Sequence, residues 1–189
     1  MKKILALVLA LVMVMTAAFA LAEGSKTQGD ISNGTVTGGG GGQAATEEET
    51  TETELPLEKV EDEKLQAIID AVTAAAKDGD ALKGLPEAVA GQIPEGFKTI
   101  NEMSCWKISG DIESLAGDDL VMKFKFDTPY EEGTELTVLI GISAPDAEEV
   151  EWLVLEGKAN DQNEVVVPVT REQLNKISNN PFVVIPVSK

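Results

Sequence analysis

The sequence predicts a mainly β fold with a helical lead-in: an α+β arrangement in which an antiparallel Ig-like β-sandwich packs with one or two N-terminal helices. Three stretches carry that expectation. From Leu120 to Phe126, the apolar Leu120, Met122, Phe124 and Phe126 alternate with Val121, Lys123 and Lys125, the period of a half-buried strand. In the next stretch Leu136, Val138, Ile140 and Ile142 repeat the pattern. In the third, Val150, Trp152 and Val154 are backed by Leu153 and Leu155, so both faces are apolar and both need cover.

Taken in order, the chain opens on Met1-Lys2-Lys3, an uncharged apolar run from Ile4 to Phe19, and Ala20-Leu21-Ala22 before Glu23. A short basic start, an apolar stretch and small residues three apart predict a secretory signal over residues 1–22, cleaved after Ala22. The competing reading is a membrane-spanning helix, because the run approaches the length that crosses a bilayer. No cysteine lies near the cleavage site and no sorting signal ends the chain, so the expectation is a released or noncovalently held protein.

Residues 23–56 turn to Gly, Thr, Ser and Glu, with glycines from Gly38 to Gly42 and a Thr/Glu run from Thr46 to Glu54. Such a composition buries too little apolar surface to offset its ordering entropy, which predicts a disordered linker. The glycine run lacks both a preceding strand and a Lys-Ser/Thr ending, so it does not read as a phosphate loop.

A helical lead-in is expected over residues 57–95. Leu57 opens the pattern, Leu65, Ile68, Ile69, Val72 and Ala75 form one stripe, and Asp78-Gly79 ends it. Pro86 sits at the expected first turn of a shorter helix from Leu85 to Gln92.

The β-sandwich domain is expected over residues 96–189. Met103 to Ser109 reads as its first strand, and Asn160-Asp161-Gln162-Asn163 as a hairpin loop into Val165, Val166 and Val167. Pro168 breaks the hydrogen-bond ladder and so marks an edge strand or a strand end. Thr170 with Gln173 is a capping box for a short helix with Leu174 and Ile177 inward, and Phe182 to Val187 is the last strand. Two late strands separated by a helical crossing fit a sandwich better than a meander.

Composition excludes more than it indicates. A net charge of −18 and a pI near 4.2, with no cluster of Lys or Arg, argue against nucleic acid and against an anionic membrane surface. The absence of histidine removes the usual general base, the Ser/His and Cys/His pairs and every His-containing zinc site. The single cysteine, Cys105, forms no internal disulfide and reads as a small buried hydrophobe beside Trp106.

The acids gather in expected loops: Asp111 and Glu113, Asp118 and Asp119, Glu131 and Glu132, and Asp146, Glu148 and Glu149. Calcium would use converging loop oxygens, but no EF-hand spacing appears. Glycoside hydrolysis would need two carboxylates facing across a cleft, and a sugar site would lean on exposed aromatic faces, whereas Trp106, Trp152 and Tyr130 read as core. No catalytic, cofactor-binding or metal residue is assigned.

The stretches LPEAVAGQIPEGFKTINEM, FDTPYEEGTELTVLIGI, EWLVLEGKA and VVVPVTREQLNKI resemble a group of uncharacterised small secreted proteins of clostridia-like Gram-positive bacteria. These combine a signal peptide, a helical lead-in and a C-terminal β domain. The resemblance implies a fold and an extracellular address and carries over no functional residue. The expected function is a secreted or cell-surface non-catalytic interaction or structural module, with no cofactor. Its expected partner is an extracellular protein or glycan, with no nucleic acid and no membrane after signal cleavage. A carbohydrate- or calcium-binding domain is the alternative, and a carboxylate hydrolase comes last.

Overall fold

A computed structural model describes residues 31–38, 53–117 and 119–189. The signal and cleavage expected over 1–22, and residues 23–30 and 39–52 of the expected linker, lie outside the described residues.

The strands are β1 (Ile31–Gly38), β2 (Thr53–Lys59), β3 (Ser104–Ile108), β4 (Leu120–Phe126), β5 (Glu135–Ile142), β6 (Glu151–Ala159), β7 (Glu164–Val169) and β8 (Phe182–Val187). They close into one barrel in the order β1-β2-β3-β8-β5-β6-β7-β4, with every neighbouring pair antiparallel. The expected Ig-like sandwich is therefore wrong: a single sheet curls onto itself, and among the described residues no second sheet faces it. A sheet closed in this way hides its edge strands, which a sandwich leaves open.

The closing strand is β1, in a segment expected to be disordered. It joins β2 at Thr35↔Pro56 through Gly38↔Thr53, and β4 at Ile31↔Phe126 through Gly38↔Leu120. Only Ile31 and Val36 bring large apolar side chains inward, both fully buried, so β1 is held chiefly by ladders on its two sides. Residues 53–56 likewise belong to β2, where Leu55 and Leu57 point inward while Glu54, Pro56 and Glu58 are exposed. Leu57 thus lies in a strand rather than opening a helix.

An eight-stranded barrel has an interior just wide enough for side chains to fill. Trp106, Phe124 and Phe182 occupy it with Met122, Ile140 and Val184, each 2% exposed or less. Inward glycines admit these bulky groups: a Cβ at Gly34 would meet Leu57 Cδ1 at 2.7 Å, and one at Gly157 would meet Val138 Cγ2 at 2.9 Å. One end is plugged by α3 (Arg171–Ile177), whose Leu174 and Ile177 are fully buried. The Thr170–Gln173 capping box is present, and Arg171 donates to the carbonyls of Ile112, Leu115 and Gly117 at 2.8–2.9 Å, pinning the plug to the β3–β4 connection.

The other helices fall between β2 and β3, so they form an inserted layer rather than a lead-in. Here α1 (Glu63–Lys77) begins at Asp62, whose Oδ1 accepts from the Leu65 N–H at 3.0 Å. It ends where Gly79, at φ +91°, lets the Gly79 and Asp80 N–H groups reach the Ala76 and Ala75 carbonyls. Leu65 and Val72 are fully buried in a cluster with Leu139, Val183, Ile185 and Val187, the outward side chains of β5 and β8. This layer covers β5 and β8 on their second face, which explains why β8 is apolar throughout and β5 is apolar from Val138 to Ile142. The shorter helix expected from Leu85 to Gln92 narrows to α2 (Glu87–Ala90), and a 3₁₀ turn (Ala81–Gly84) precedes it.

The barrel wall is uneven in one place. β5 and β6 pair along eight positions, Glu135↔Lys158 through Ile142↔Glu151, yet β6 and β7 pair only at Lys158↔Val166 and Ala159↔Val165. The β7–β4 ladder meanwhile runs on through Pro168 to Val169. The ladder break expected at Pro168 thus falls on one side of β7 only. Beside this seam Trp152, Leu153 and Val154 are half-buried, so the double-sided cover expected of β6 is incomplete.

Candidate functional site

Because the barrel interior is filled by side chains, a ligand site has to be sought on the outer wall. A cavity of about 610 Å³ lies over β5, β6 and β7, within the size range of small-molecule clefts. Its floor follows from alternation: Leu136 and Val138 point inward, so Glu135 and Thr137 point out, and on β6 and β7 the same rule turns out Glu156, Lys158, Val166 and Pro168. Pro94 and Phe97, from the connection after α2, form the far wall.

Lys189 organises the rim. Its Nζ stands 3.4 Å from Glu135 Oε2 and 5.1 Å from the centroid of the Phe97 ring. A second cavity of about 560 Å³ shares Glu135, is lined also by Lys189, and continues past Tyr130 and Asn101. The two recesses are thus divided by one exposed ion pair, which is easily parted because exposed pairs are worth at most about 1 kcal/mol.

Beyond the second recess, at the barrel end opposite α3, the core contains a polar pair. Glu102 is 1% exposed; its Oε1 accepts from the Thr128 N–H at 2.9 Å, while its Oε2 has no hydrogen-bond partner among the described residues. The buried Tyr130 hydroxyl is also without a hydrogen-bond partner among the described residues, and its ring packs edge-on against Phe126 at 5.3 Å. Burial raises the Glu102 carboxyl above the usual carboxylate range, against the hydrogen bonds from Thr128. Burial pushes the Tyr130 phenol up to about 12, with the nearby Glu102 carboxylate adding to it. Sequence reading placed Tyr130 in the core and overlooked Glu102. The available signal was phase: Glu102 lies two and four residues before the inward Ser104 and Trp106.

The loop acids do not assemble into a site. Strand direction puts Asp111, Glu113, Asp119, Asp146, Glu148 and Glu149 at the α3 end and Glu131 and Glu132 at the other, while Asp118 lies outside the described residues. Among the described residues no three His, Cys, Asp or Glu side chains gather closely enough to hold a metal ion. Glu135 and Glu156 share the main groove, but they stand side by side on one wall rather than across a substrate from each other.

Cys105 faces outward beneath α1, and burial, with the Asp62 carboxylate adding, pushes its thiol up to about 11. It is a packed hydrophobe rather than a nucleophile. Among the described residues no helix is long and apolar enough to cross a membrane. The barrel wall carries Lys107, Lys123, Lys125, Glu156 and Lys158 outside and apolar side chains inside, the reverse of a lipid-spanning barrel.

No family model, curated protein or solved structure matches the chain.

Proposed function

We propose that the protein is a non-catalytic binding module, exported by its N-terminal signal, that holds an extracellular partner in the groove over β5, β6 and β7. The observation that carries this reading is the groove itself: an apolar trough of Phe97, Pro94, Val166 and Pro168 with a few charged groups on its rim, backed by a barrel too full to admit a ligand. Binding sites commonly combine an apolar floor with a few placed polar groups. Among the described residues no three loop acids gather closely enough to hold a metal ion, so nothing there favours the calcium alternative.

Capture of cell-envelope extract on the immobilised chain tests the proposal, using Phe97→Ser and Val166→Glu as groove variants and Glu113→Gln as a remote control. The expected result is a set of captured components that the groove variants lose and the control keeps, with all four proteins melting alike. Capture that is equal across the four would place any binding elsewhere and overturn the assignment.

A further inference from the structure

The ladder between β1 and β2 stops one residue short of Gly34, and the donor left over is given to a reactive neighbour. Val60 N–H donates to the Cys105 carbonyl at 3.1 Å and Ser109 N–H to the Pro56 carbonyl at 2.9 Å. Even-numbered residues of β2 therefore address β3, and odd-numbered ones address β1. In that register Leu57 stands opposite Gly34, yet the last pair is Thr35↔Pro56. The Gly34 N–H thus faces β2 without joining the ladder. A main-chain donor that loses its strand partner needs another. Gly34 N–H finds it in the preceding side chain, donating to Asn33 Oδ1 at 2.8 Å.

That bond holds together two groups that can react with each other. The Gly34 nitrogen lies against the Asn33 carboxamide, and joining it to Asn33 Cγ closes a five-membered ring. Glycine obstructs such a closure least, because it has no Cβ. Packing keeps glycine in place, since a Cβ at Gly34 would meet Leu57 Cδ1 at 2.7 Å. Asn33 is exposed on the barrel wall and the bond is only part-buried, so base and water reach the site. No other asparagine in the chain is followed by glycine.

We propose that Asn33 deamidates spontaneously in the folded protein through a cyclic imide with Gly34, and that the isoaspartate product loosens the strand that closes the barrel. The Gly34 amide gives its proton to solvent base, and its nitrogen bonds to Asn33 Cγ. The Cγ–Nδ2 bond breaks, and Nδ2 takes up a proton and leaves as ammonia. Water then opens the ring. Attack at Cγ breaks the new bond and leaves aspartate in an ordinary chain. Attack at the main-chain carbonyl of residue 33 breaks the original peptide bond and leaves isoaspartate, whose backbone runs through Cγ and is one carbon longer. Either route consumes one water, releases one ammonia and adds one negative charge to the −18 of the chain, with no oxidant or reductant. The extra carbon falls between Ile31, fully buried opposite Phe126, and Val36, fully buried opposite Met122. An unbuckled β1 can no longer fill both seats.

The full chain, kept warm at mildly alkaline pH, is followed by ammonia release and peptide mapping beside the same chain unfolded in urea. Conversion at Asn33 in the folded chain should stay within about thirtyfold of the unfolded rate, because the Gly34 N–H has no ladder bond to break first. A greater slowing, or conversion spread evenly over the other asparagines, would show that the strand shields Asn33 and would overturn the proposal. Asn33→Gln, which would have to close a larger ring, should lose most of the early ammonia; undiminished release would put the chemistry elsewhere. Asn33→Asp carries the new charge on an ordinary backbone and so separates charge from chain length. The isoaspartate fraction, isolated by ion exchange, should melt below Asn33→Asp and exchange its Val36 amide about tenfold faster or more. Equal melting and equal exchange would mean that β1 takes up the extra carbon at its bulge between Ile31 and Asn33, and the loosening would be overturned.

Discussion

Glu102 and Tyr130 show what one side chain contributes to this barrel. A carboxyl whose folded pKa is raised supplies stability that is full below its unfolded pKa and is lost as pH rises through the folded value. Glu102→Gln keeps an acceptor for the Thr128 N–H and removes the charge. It should melt above the parent at pH 8 and level with it near pH 4. Melting curves at both pH values decide this; an offset that ignores pH would mean that ionisation of Glu102 is irrelevant. Tyr130 is the one tyrosine in the chain, so phenolate absorbance reads it alone. It should titrate at about 12 in the folded protein, and its share of stability should be full below about pH 10 and lost above that as the pH climbs. Titration at an ordinary phenol pKa, with the fold intact, would place the hydroxyl in water. Neither behaviour was legible beforehand, because a buried acid is identified by its surroundings and only faintly by its spacing.

Elements with local chemistry could be read from the sequence in advance. The Asp78-Gly79 stop, the Thr170–Gln173 box and the Asn160–Asn163 hairpin are each set by neighbouring residues, and each is present, with Asn160 Oδ1 accepting from the Gln162 and Glu164 N–H groups. β1 was illegible because Ser32, Asn33, Gly34 and Thr35 offer weak alternation and depend on two distant partners for their hydrogen bonds. One element-level contact is open to direct test. A Cβ at Gly84 would lie 2.4 Å from Val72 Cα and 2.5 Å from Val72 N, so the 3₁₀ turn packs against the backbone of α1 itself. No rotamer change relieves such a clash, and Gly84→Ala should cost about 1–3 kcal/mol. The damage should be local. Amides of α1 should exchange faster while those paired between β4 and β7 keep their protection, and uniform loss in both would show that the helical layer and the barrel fold as one unit.

At the scale of the whole molecule, closure decides what the smallest folded piece is. Reading residues 23–56 as linker makes a fragment from Leu57 onward look like a complete domain. In the barrel that cut removes β1 and residues 53–56 of β2, so β4 loses its β1 neighbour while β3 keeps only the short ladder with residues 57–59 on that side. Phe124 and Met122, both fully buried, would lose the cover of Gly34 and Val36, the residues directly opposite them. The inward apolar faces of the barrel each contribute about 1.5–3 kcal/mol per large side chain, and a domain's net stability is only about 5–15 kcal/mol, so uncovering several at once exceeds what the fold can absorb. Residues 31–189 should therefore melt cooperatively at nearly the temperature of the full chain. Residues 57–189 should show no cooperative transition, bind hydrophobic dye and aggregate through the bared strands. Calorimetry and light scattering on the two fragments separate the cases. A sharp transition in the shorter one would mean that the remaining strands can rearrange into a stable sheet without β1, and closure would then be a refinement of the fold rather than its foundation.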